Sequence, residues 1–256
     1  MEKVTVVKVG GAVVEDRAQL SRLLSDFGGI EGRKVLVHGG GRRATQVASR
    51  LGIESRMAGG RRITDAAMLE VVTMVYGGLV NKTVVARLHA VGVNALGLTG
   101  ADMDVIRSRK RPAGEIDYGY VGDVERVDGE ALRMLIEGGV TPVMAPLTHD
   151  GHGCILNTNA DTIASETAKA LARFYDVTLV FCFEKRGVLA DPDDDDSVIP
   201  VITRDDFRRY TADGTVSGGM IPKLENAFSA IDAGVSRVVI TAAAAVSEGG
   251  TTVVEK

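Results

Sequence analysis

The stretch Val4-Thr-Val-Val-Lys8-Val-Gly-Gly11 puts a lysine and two glycines at the end of an apolar run. The Val and Thr residues around Lys8 predict a buried strand of a parallel sheet, and the glycines predict a turn in which bare backbone can approach a ligand closely. Backbone N–H groups beside an ammonium form an anion site. A lysine at a strand end can also extend into water, so this stretch alone leaves both interpretations of Lys8 open.

A second strand–glycine–helix junction follows within the first fifty residues. Lys34-Val-Leu-Val-His38 predicts a strand that runs into Gly39-Gly40-Gly41, and the residues behind it have helical apolar spacing. The first turn of such a helix offers backbone N–H groups to an anion. A flexible turn is the ordinary explanation of a glycine triplet, but two junctions of one kind favour a ligand site.

Composition limits the class of protein. The 256-residue chain has 45% hydrophobic and 25% charged residues and a formal charge of −4, which argues against nucleic acid or an acidic membrane surface as its main partner. Cys154 and Cys182 are too few and too far apart for a disulfide framework or a metal site, which suits a reducing cytoplasm. We find no apolar run long enough to span a membrane and no signal-peptide pattern, so we expect a cytoplasmic protein.

Strands alternate with helices along most of the chain, which predicts an α/β fold with a mainly parallel sheet covered on both faces. Residues 57–64 predict a β-hairpin that carries Arg61 and Arg62. One of these arginines could bind a carboxylate in a bidentate manner, through two N–H groups of its guanidinium, although adjacent arginines on a turn are usually solvated. The apolar stripe from Met68 to Leu79 predicts a helix that Gly77-Gly78 interrupts, in the core or at a subunit interface.

Polar side chains gather at two later helix starts. Asn157, Asn159 and Asp161 stand together before an apolar helix, where capping alone would need one of them. Lys223 follows Pro222 in the first turn of another helix. A cation there is unfavourable unless an anion comes to meet it.

Several common site patterns are absent from the sequence. The Walker pattern, the dinucleotide-binding fingerprint and a nucleophile elbow are all missing. The residues 191–196 are almost all acidic and predict a solvated loop, because they lack the spacing of a calcium-binding loop.

Five motifs, taken together and in order, resemble the amino acid kinase family, and they span nearly the whole chain. They are Lys8-Val-Gly-Gly11, His38-Gly-Gly-Gly41, Gly60-Arg-Arg62-Ile-Thr64, Asn157-Thr-Asn159-Ala-Asp161 and Ser217-Gly-Gly-Met-Ile-Pro-Lys223. The resemblance implies a three-layer αβα sandwich. Residues 1–175 would form a lobe for acyl-amino-acid binding and dimerisation, and residues 176–256 a nucleotide-binding lobe. ATP and Mg²⁺ are the implied cofactors, a cytoplasmic homodimer is the implied assembly, and no metal-binding side chain is assigned.

The resemblance also implies roles for individual residues. Lys8 and Lys223 would contact the transferring phosphoryl group, and Asp161 would orient both lysines. Arg62 would hold the α-carboxylate of the substrate. The nucleotide would lie against Gly10, Gly11, Gly40, Gly187, Gly218 and Gly219, and the acceptor against Gly39, Gly40, Gly41, Arg62, Asn157 and Asn159.

The implied activity is ATP-dependent phosphorylation of the γ-carboxylate of N-acetyl-L-glutamate to an acyl phosphate, in arginine biosynthesis. Kinases for glutamate, aspartate, carbamate or a nucleotide are alternatives on the same fold, and they fit Arg62 and the motif from Asn157 to Asp161 less well. N-succinylglutamate or another N-acylglutamate is an alternative acceptor. An alternative of another class is a non-catalytic ligand sensor. Loss of Lys8, Asp161 or Lys223 would have favoured that alternative, but all three residues are present.

Two stretches depart from the family pattern. Phe183-Glu-Lys-Arg-Gly187 stands where many relatives carry a Thr-Asp or Ser-Asp pair near the nucleotide. Thr148 and His149 replace a glycine-containing loop near the expected acyl group. A hydroxyl and an imidazole there could bind the second carboxylate of a succinyl group, whereas residues 149–152 could equally form an ordinary exposed turn.

Overall fold

The computed structural model describes residues 1–246 and 248–256. Its strands are β1 (Lys3–Val9), β2 (Arg33–His38), β3 (Met57–Ala58), β4 (Arg61–Arg62), β5 (Ala95–Leu98), β6 (Ile106–Lys110), β7 (Gly122–Val127), β8 (Thr141–Met144), β9 (Leu147–His149), β10 (Ile155–Asn157), β11 (Asp176–Phe183), β12 (Val201–Ile202), β13 (Arg237–Ala242) and β14 (Thr251–Val253). Its α-helices are α1 (Gly11–Glu15), α2 (Arg17–Gly29), α3 (Gly41–Arg50), α4 (Ala66–Val72), α5 (Asn81–Ala90), α6 (Gly129–Glu137), α7 (Ala160–Leu171), α8 (Arg204–Ala212) and α9 (Met220–Asp232).

An eight-stranded sheet runs through the molecule in the order β12-β14-β13-β11-β1-β2-β8-β5. Its central pairs are parallel, and β13 with β14 is the antiparallel pair. The prediction of an α/β fold with a mainly parallel sheet is therefore confirmed. Strand β11 pairs directly with β1, so the chain on either side of residue 175 shares this one sheet.

Side chains of β1 alternate between two helical layers. Val4 and Val6 pack into a core cluster with residues of α6, α7 and α9, whereas Val7 and Val9 pack with residues of α2, α3, α4 and α5. Successive residues of a strand point to opposite faces, so Lys8 lies on the face of Val4 and Val6. The layers form the expected αβα sandwich, and Lys8 faces the layer that contains α7 and α9.

A second, four-stranded sheet has the order β10-β9-β6-β7. The sequence predicts residues 103–127 as a hairpin flap, and β6 and β7 do form an antiparallel pair. This hairpin joins β9 through a parallel contact between Arg107 and His149, so it is part of a sheet. Strands β3 and β4 form the hairpin predicted for residues 57–64.

The helix through Gly77-Gly78 is continuous, contrary to the predicted interruption. A π-helical segment, Thr73–Val80, joins α4 to α5. A Cβ on Gly77 would lie 3.4 Å from Leu147 Cδ1, so Gly77 packs closely against this side chain without ending the helix, whereas a Cβ on Gly78 would meet nothing within 4 Å. By length and composition alone, the helix Ala66–Ala90 could therefore cross a membrane. This differs from our expectation that no apolar run is long enough to do so. Met68 and Leu88 lie in the core, which identifies it as a core helix.

Candidate active site

Two glycine turns lie against each other at the carboxyl ends of β1 and β2. A Cβ on Gly39 would be 3.0 Å from Gly11 N, and a Cβ on Gly11 would be 3.3 Å from Gly40 N and Gly41 N. Gly39 N–H donates to Val9 O at 2.9 Å. Side chains on these residues would force the turns apart. Glycine thus brings the start of α1 and the start of α3 to one point, at the edge of a parallel sheet where ligands usually bind.

His38 supports the second glycine turn from the core. Its Nδ1 lies 2.8 Å from Gly39 O, and its Nε2 lies 3.0 Å from Asn81 Nδ2. A carbonyl only accepts, so Nδ1 carries the proton and Nε2 accepts from the amide. Burial lowers the pKa of His38 to about 4. A neutral histidine therefore fixes the turn, a role that the sequence did not indicate.

Two cavities meet at this edge. The small cavity has a volume of about 200 Å³ and the large cavity about 660 Å³. Gly41, Met57 and Arg62 line both. The small cavity is also lined by Gly39, Gly40, Arg61, Tyr76, Asn157 and Asn159, and the large one by Lys8, Gly10, Gly11, Phe183, Gly187 and Lys223. Two ligands placed in these cavities would therefore be neighbours.

Arg62 carries a buried positive charge. Its Nη2 donates to Gly41 O at 2.8 Å and to Thr45 Oγ1 at 3.0 Å, and its Nη1 donates to Ser55 Oγ. These neutral acceptors hold the guanidinium group, but none neutralises it. No carboxylate of the described residues lies within the 4.0 Å of an ion pair with Arg62. A buried charge is costly unless it is paired, so the geometry suits an anionic ligand.

The three polar residues around the start of α7 have three different roles. Asn159 is the N-cap, and its Oδ1 accepts from Asp161 N at 2.7 Å and Thr162 N at 3.1 Å. Asn157 Nδ2 donates to Thr64 Oγ1 at 2.9 Å at the wall of the small cavity. Asp161 Oδ1 lies 2.8 Å from Lys8 Nζ. The structure thus places Asn157 and Asn159 at the small cavity and Asp161 against Lys8, which lines the large cavity.

Lys8 and Lys223 both reach into the large cavity, one from β1 and the other from the first turn of α9. Burial lowers the pKa of Lys223, and the nearby charge of Lys8 lowers it further, while Asp161 and Glu184 act in the opposite direction. Asp161 forms an ion pair with Lys8 but none with Lys223. Orientation of Lys223 by Asp161 stays a prediction.

Among the glycines assigned to the nucleotide, Gly10, Gly11 and Gly187 line the large cavity, whereas Gly40 lines only the small one. Gly187 lines the large cavity and also an adjoining apolar cavity of about 280 Å³, and a Cβ on it would lie 2.6 Å from Val198 Cγ1. Gly218 and Gly219 precede α9 but line none of these cavities. Their neighbours Ser217 and Met220 line the apolar one.

Thr148 and His149 do not line the cavities. Thr148 is fully buried, and its Oγ1 lies 2.8 Å from Thr158 Oγ1. His149 Nε2 lies 2.7 Å from Asp104 Oδ1. Asp150 accepts hydrogen bonds from the backbone of the turn between β9 and β10. The predicted turn is therefore present after His149, which itself ends β9, and the donors suggested for a succinyl group have other partners.

Three residues of the site escaped the sequence analysis. Tyr76 closes the small cavity, and burial raises the pKa of its hydroxyl. Ser55 holds Arg62. Phe183, noted only as a departure from the family, lies under both lysines. The stripe from Met68 to Leu79 includes Tyr76, but nothing in the sequence places it beside glycines more than thirty residues earlier.

Comparisons with known proteins find one family over most of the chain. The model of the amino acid kinase family matches residues 3–242. The chain is 67% identical over 255 residues to the acetylglutamate kinase of Phocaeicola vulgatus, and the match covers 100% of this chain and 99% of that protein.

Solved structures show the same fold. The N-acetylglutamate synthase of Neisseria gonorrhoeae, complexed with coenzyme A and N-acetyl-glutamate, matches with a TM-score of 0.82 at 21% identity, over 100% of this chain and 60% of that chain. The carbamate kinase of Giardia lamblia, bound to AMP-PNP, matches with a TM-score of 0.70 at 14% identity, over 100% and 99% of the two chains. At these identities the likeness concerns the fold alone.

Proposed function

The chain belongs to the amino acid kinase family, and we propose that it uses ATP to phosphorylate the γ-carboxylate of N-acetyl-L-glutamate in arginine biosynthesis. One observation carries the proposal. The small cavity shares the buried and unneutralised Arg62 with a large cavity that is also lined by Lys8 and Lys223. This arrangement suits two anions that meet end to end.

The acceptor would occupy the small cavity. Arg62 would bind its α-carboxylate, and Asn157, Asn159 and the glycines 39–41 would surround the rest of the molecule. The γ-carboxylate would then point toward the large cavity. Because a carboxylate is already ionised at neutral pH, it needs no general base to attack the γ-phosphate.

The large cavity would hold the phosphates. Phosphoryl transfer depends mainly on placing the two anions in line and stabilising the charge that develops between them. Lys8 and Lys223 would supply that positive charge, with backbone donors from Gly10 and Gly11, and Gly40 would act from the neighbouring wall of the small cavity. The residues that the structure describes contain no group of three His, Cys, Asp or Glu side chains placed for a metal. Mg²⁺ would therefore enter bound to the nucleotide phosphates, as is usual for this ion.

The adenine would lie in the apolar cavity beyond Gly187. This cavity shares Lys185, Gly187 and Met220 with the large cavity, so one extended ligand can occupy both. Residues 1–175 would bind the acceptor and residues 176–256 most of the nucleotide. Gly218 and Gly219 would act by shaping the start of α9, with Lys223 on its first turn.

We place this kinase in the cytoplasm as a homodimer. Met74 and Leu79 on the long helix and Leu96 on the edge strand β5 are exposed apolar side chains. A subunit contact would cover these side chains, and it would also cover the unpaired edge strand.

A hydroxylamine assay tests the proposed reaction. Purified protein is incubated with Mg-ATP, hydroxylamine and one acceptor at a time: N-acetylglutamate, N-succinylglutamate, glutamate, aspartate or carbamate. We expect hydroxamate with N-acetylglutamate, because an acyl phosphate reacts with hydroxylamine. ADP release without hydroxamate would identify a different acceptor chemistry, and neither product with any acceptor would favour a ligand sensor.

A further inference from the structure

Two ammonium groups of the proposed active site lie over one aromatic ring. Lys8 Nζ is 5.3 Å from the centre of the Phe183 ring, and Lys223 Nζ is 4.0 Å from it. Both distances fall within the roughly 6 Å over which a ring face attracts a cation. The two lysines come from elements more than two hundred residues apart, and Phe183 is a contact that they share.

The ring itself is firmly held. Phe183 ends β11 and stacks on Phe181, with ring centres 5.9 Å apart and planes inclined by 18°. Phe181 pairs in register with Lys8 on the neighbouring strand, so all three side chains lie on one face of the sheet. The ring is therefore a fixed support, onto which α9 brings Lys223.

Lys223 depends on this support more than Lys8 does. Lys8 has an ion pair with Asp161. Within the described residues no carboxylate lies within 4.0 Å of Lys223 Nζ. The charged groups that face Lys223 are Lys8 from β1, Asp161 from α7 and Glu184 after β11, and burial lowers its pKa. A ring face stabilises the ammonium without neutralising its charge.

We propose that Phe183 is a positioning residue, which holds the charged ammonium of Lys223, together with that of Lys8, in place for phosphoryl transfer. The inference rests on the proposed function, because it assumes that the two lysines act on a phosphoryl group. The contact leaves the full charge of Lys223 available to the phosphate oxygens. A carboxylate in the same place would compete with them.

Kinetics of three variants test this role. Phe183→Leu keeps apolar volume but removes the ring face, so we expect kcat to fall roughly tenfold with little change in the KM for ATP. Phe183→Tyr keeps the face and should restore most of the rate lost in the leucine variant. Phe174→Leu is the matched control, since Arg133 lies 5.3 Å from the centre of that ring, away from the site. Thermal unfolding shows whether each variant is folded. If Phe183→Leu does not fold, Phe183→Met takes its place.

The pH profile separates positioning from packing. Without the ring face the pKa of Lys223 falls further, so the alkaline loss of kcat moves to lower pH in the leucine variant. An unchanged kcat and alkaline limb in this variant would overturn the inference. Equal losses in the leucine and tyrosine variants would also overturn it, because packing alone would then explain them. A higher KM for ATP at unchanged kcat would show that the ring binds the nucleotide.

A spectroscopic measurement is independent of the reaction. In protein labelled with ¹³C-lysine, the Hε protons of Lys223 should be shifted upfield by the ring current of Phe183, and Lys223→Arg assigns the signal. The shift should vanish in Phe183→Leu and persist in Phe183→Tyr. No upfield shift in the parent protein would overturn the inference even if the kinase reaction is confirmed. If the Lys223 Hε protons are shifted upfield but the protein forms no acyl phosphate, the proposed function is contradicted and the contact between Phe183 and Lys223 is not.

Discussion

Arg62 shows at the scale of one residue how the site selects its acceptor. Three neutral acceptors on Gly41, Thr45 and Ser55 fix the guanidinium group. A lysine would keep the charge but lose the planar fork. We therefore expect Arg62→Lys to raise the acceptor KM by a factor that corresponds to about 1–3 kcal/mol, with kcat nearly unchanged.

Initial rates in the hydroxamate assay measure this effect. Arg50→Lys is the control, because Arg50 is exposed at the end of α3. An acceptor KM equal to that of the parent protein would mean that Arg62 does not bind the carboxylate.

His38 predicts a pH dependence of stability. Burial lowers its pKa in the folded protein from 6.5 to about 4. Between these values the unfolded chain binds a proton that the folded protein does not. The folded state therefore loses stability as the pH falls from about 6.5 to about 4, by roughly 3 kcal/mol in total.

Urea unfolding at several pH values between 7 and 4 tests this prediction. His38→Asn keeps a donor for Gly39 O but does not titrate, so its stability should fall less steeply with decreasing pH than that of the parent protein. His152→Asn, in the exposed turn, should keep the parental slope. Parallel curves for the parent and His38→Asn would show that His38 is not the titrating group.

The element α8 shows how a local signal determines structure. Thr203 and Asp206 form a capping box, in which Asp206 N donates to Thr203 Oγ1 at 3.2 Å and Thr203 N donates to Asp206 Oδ2 at 3.1 Å. Thr203→Ala removes one half of it and should lower the free energy of unfolding by about 1 kcal/mol.

Denaturant unfolding checks the value, and kinase kinetics should not change, because α8 lies outside both cavities. Thr211→Ala, on the exposed end of the same helix, should cost less than Thr203→Ala. Equal losses in the two variants would argue against a cap.

The elements also show where prediction from sequence stops. The hairpin at residues 57–64 has a local signal and was predicted. The helix through Gly77-Gly78 was predicted to break, because glycine disfavours helices. Its packing against Leu147 outweighs that local preference. The second sheet was missed because β6 and β9 are about forty residues apart, and no local pattern indicates their pairing.

At the scale of the whole molecule, the exposed apolar side chains of the long helix and of the edge strand β5 are the basis for the proposed assembly. We expect sedimentation to give twice the 27.0 kDa of one chain. The double substitution Met74→Glu and Leu79→Glu would place unpaired charges in the proposed contact, so this variant should sediment as a monomer. Met134→Glu, at another exposed apolar position on α6, should leave the dimer intact. A monomeric parent protein would contradict the proposed dimer.

The sequence by itself determined the fold class, the two glycine junctions, the caps and the family. Strand alternation, helical spacing and capping act over a few residues, so they can be interpreted without coordinates. The motifs also identify Lys8, Arg62, Asp161 and Lys223 as site residues, but they do not predict which of these residues contact each other.

Only the tertiary structure decided those contacts. It pairs Asp161 with Lys8, places Lys223 over Phe183, and gives Thr148 and His149 the partners Thr158 and Asp104. The physical reason is that each contact joins elements brought together by the order of the strands in the sheets and by the packing of α7 and α9. Charge and spacing along the chain cannot specify such distances, because the sheet order places β11, from the second half of the chain, directly beside β1.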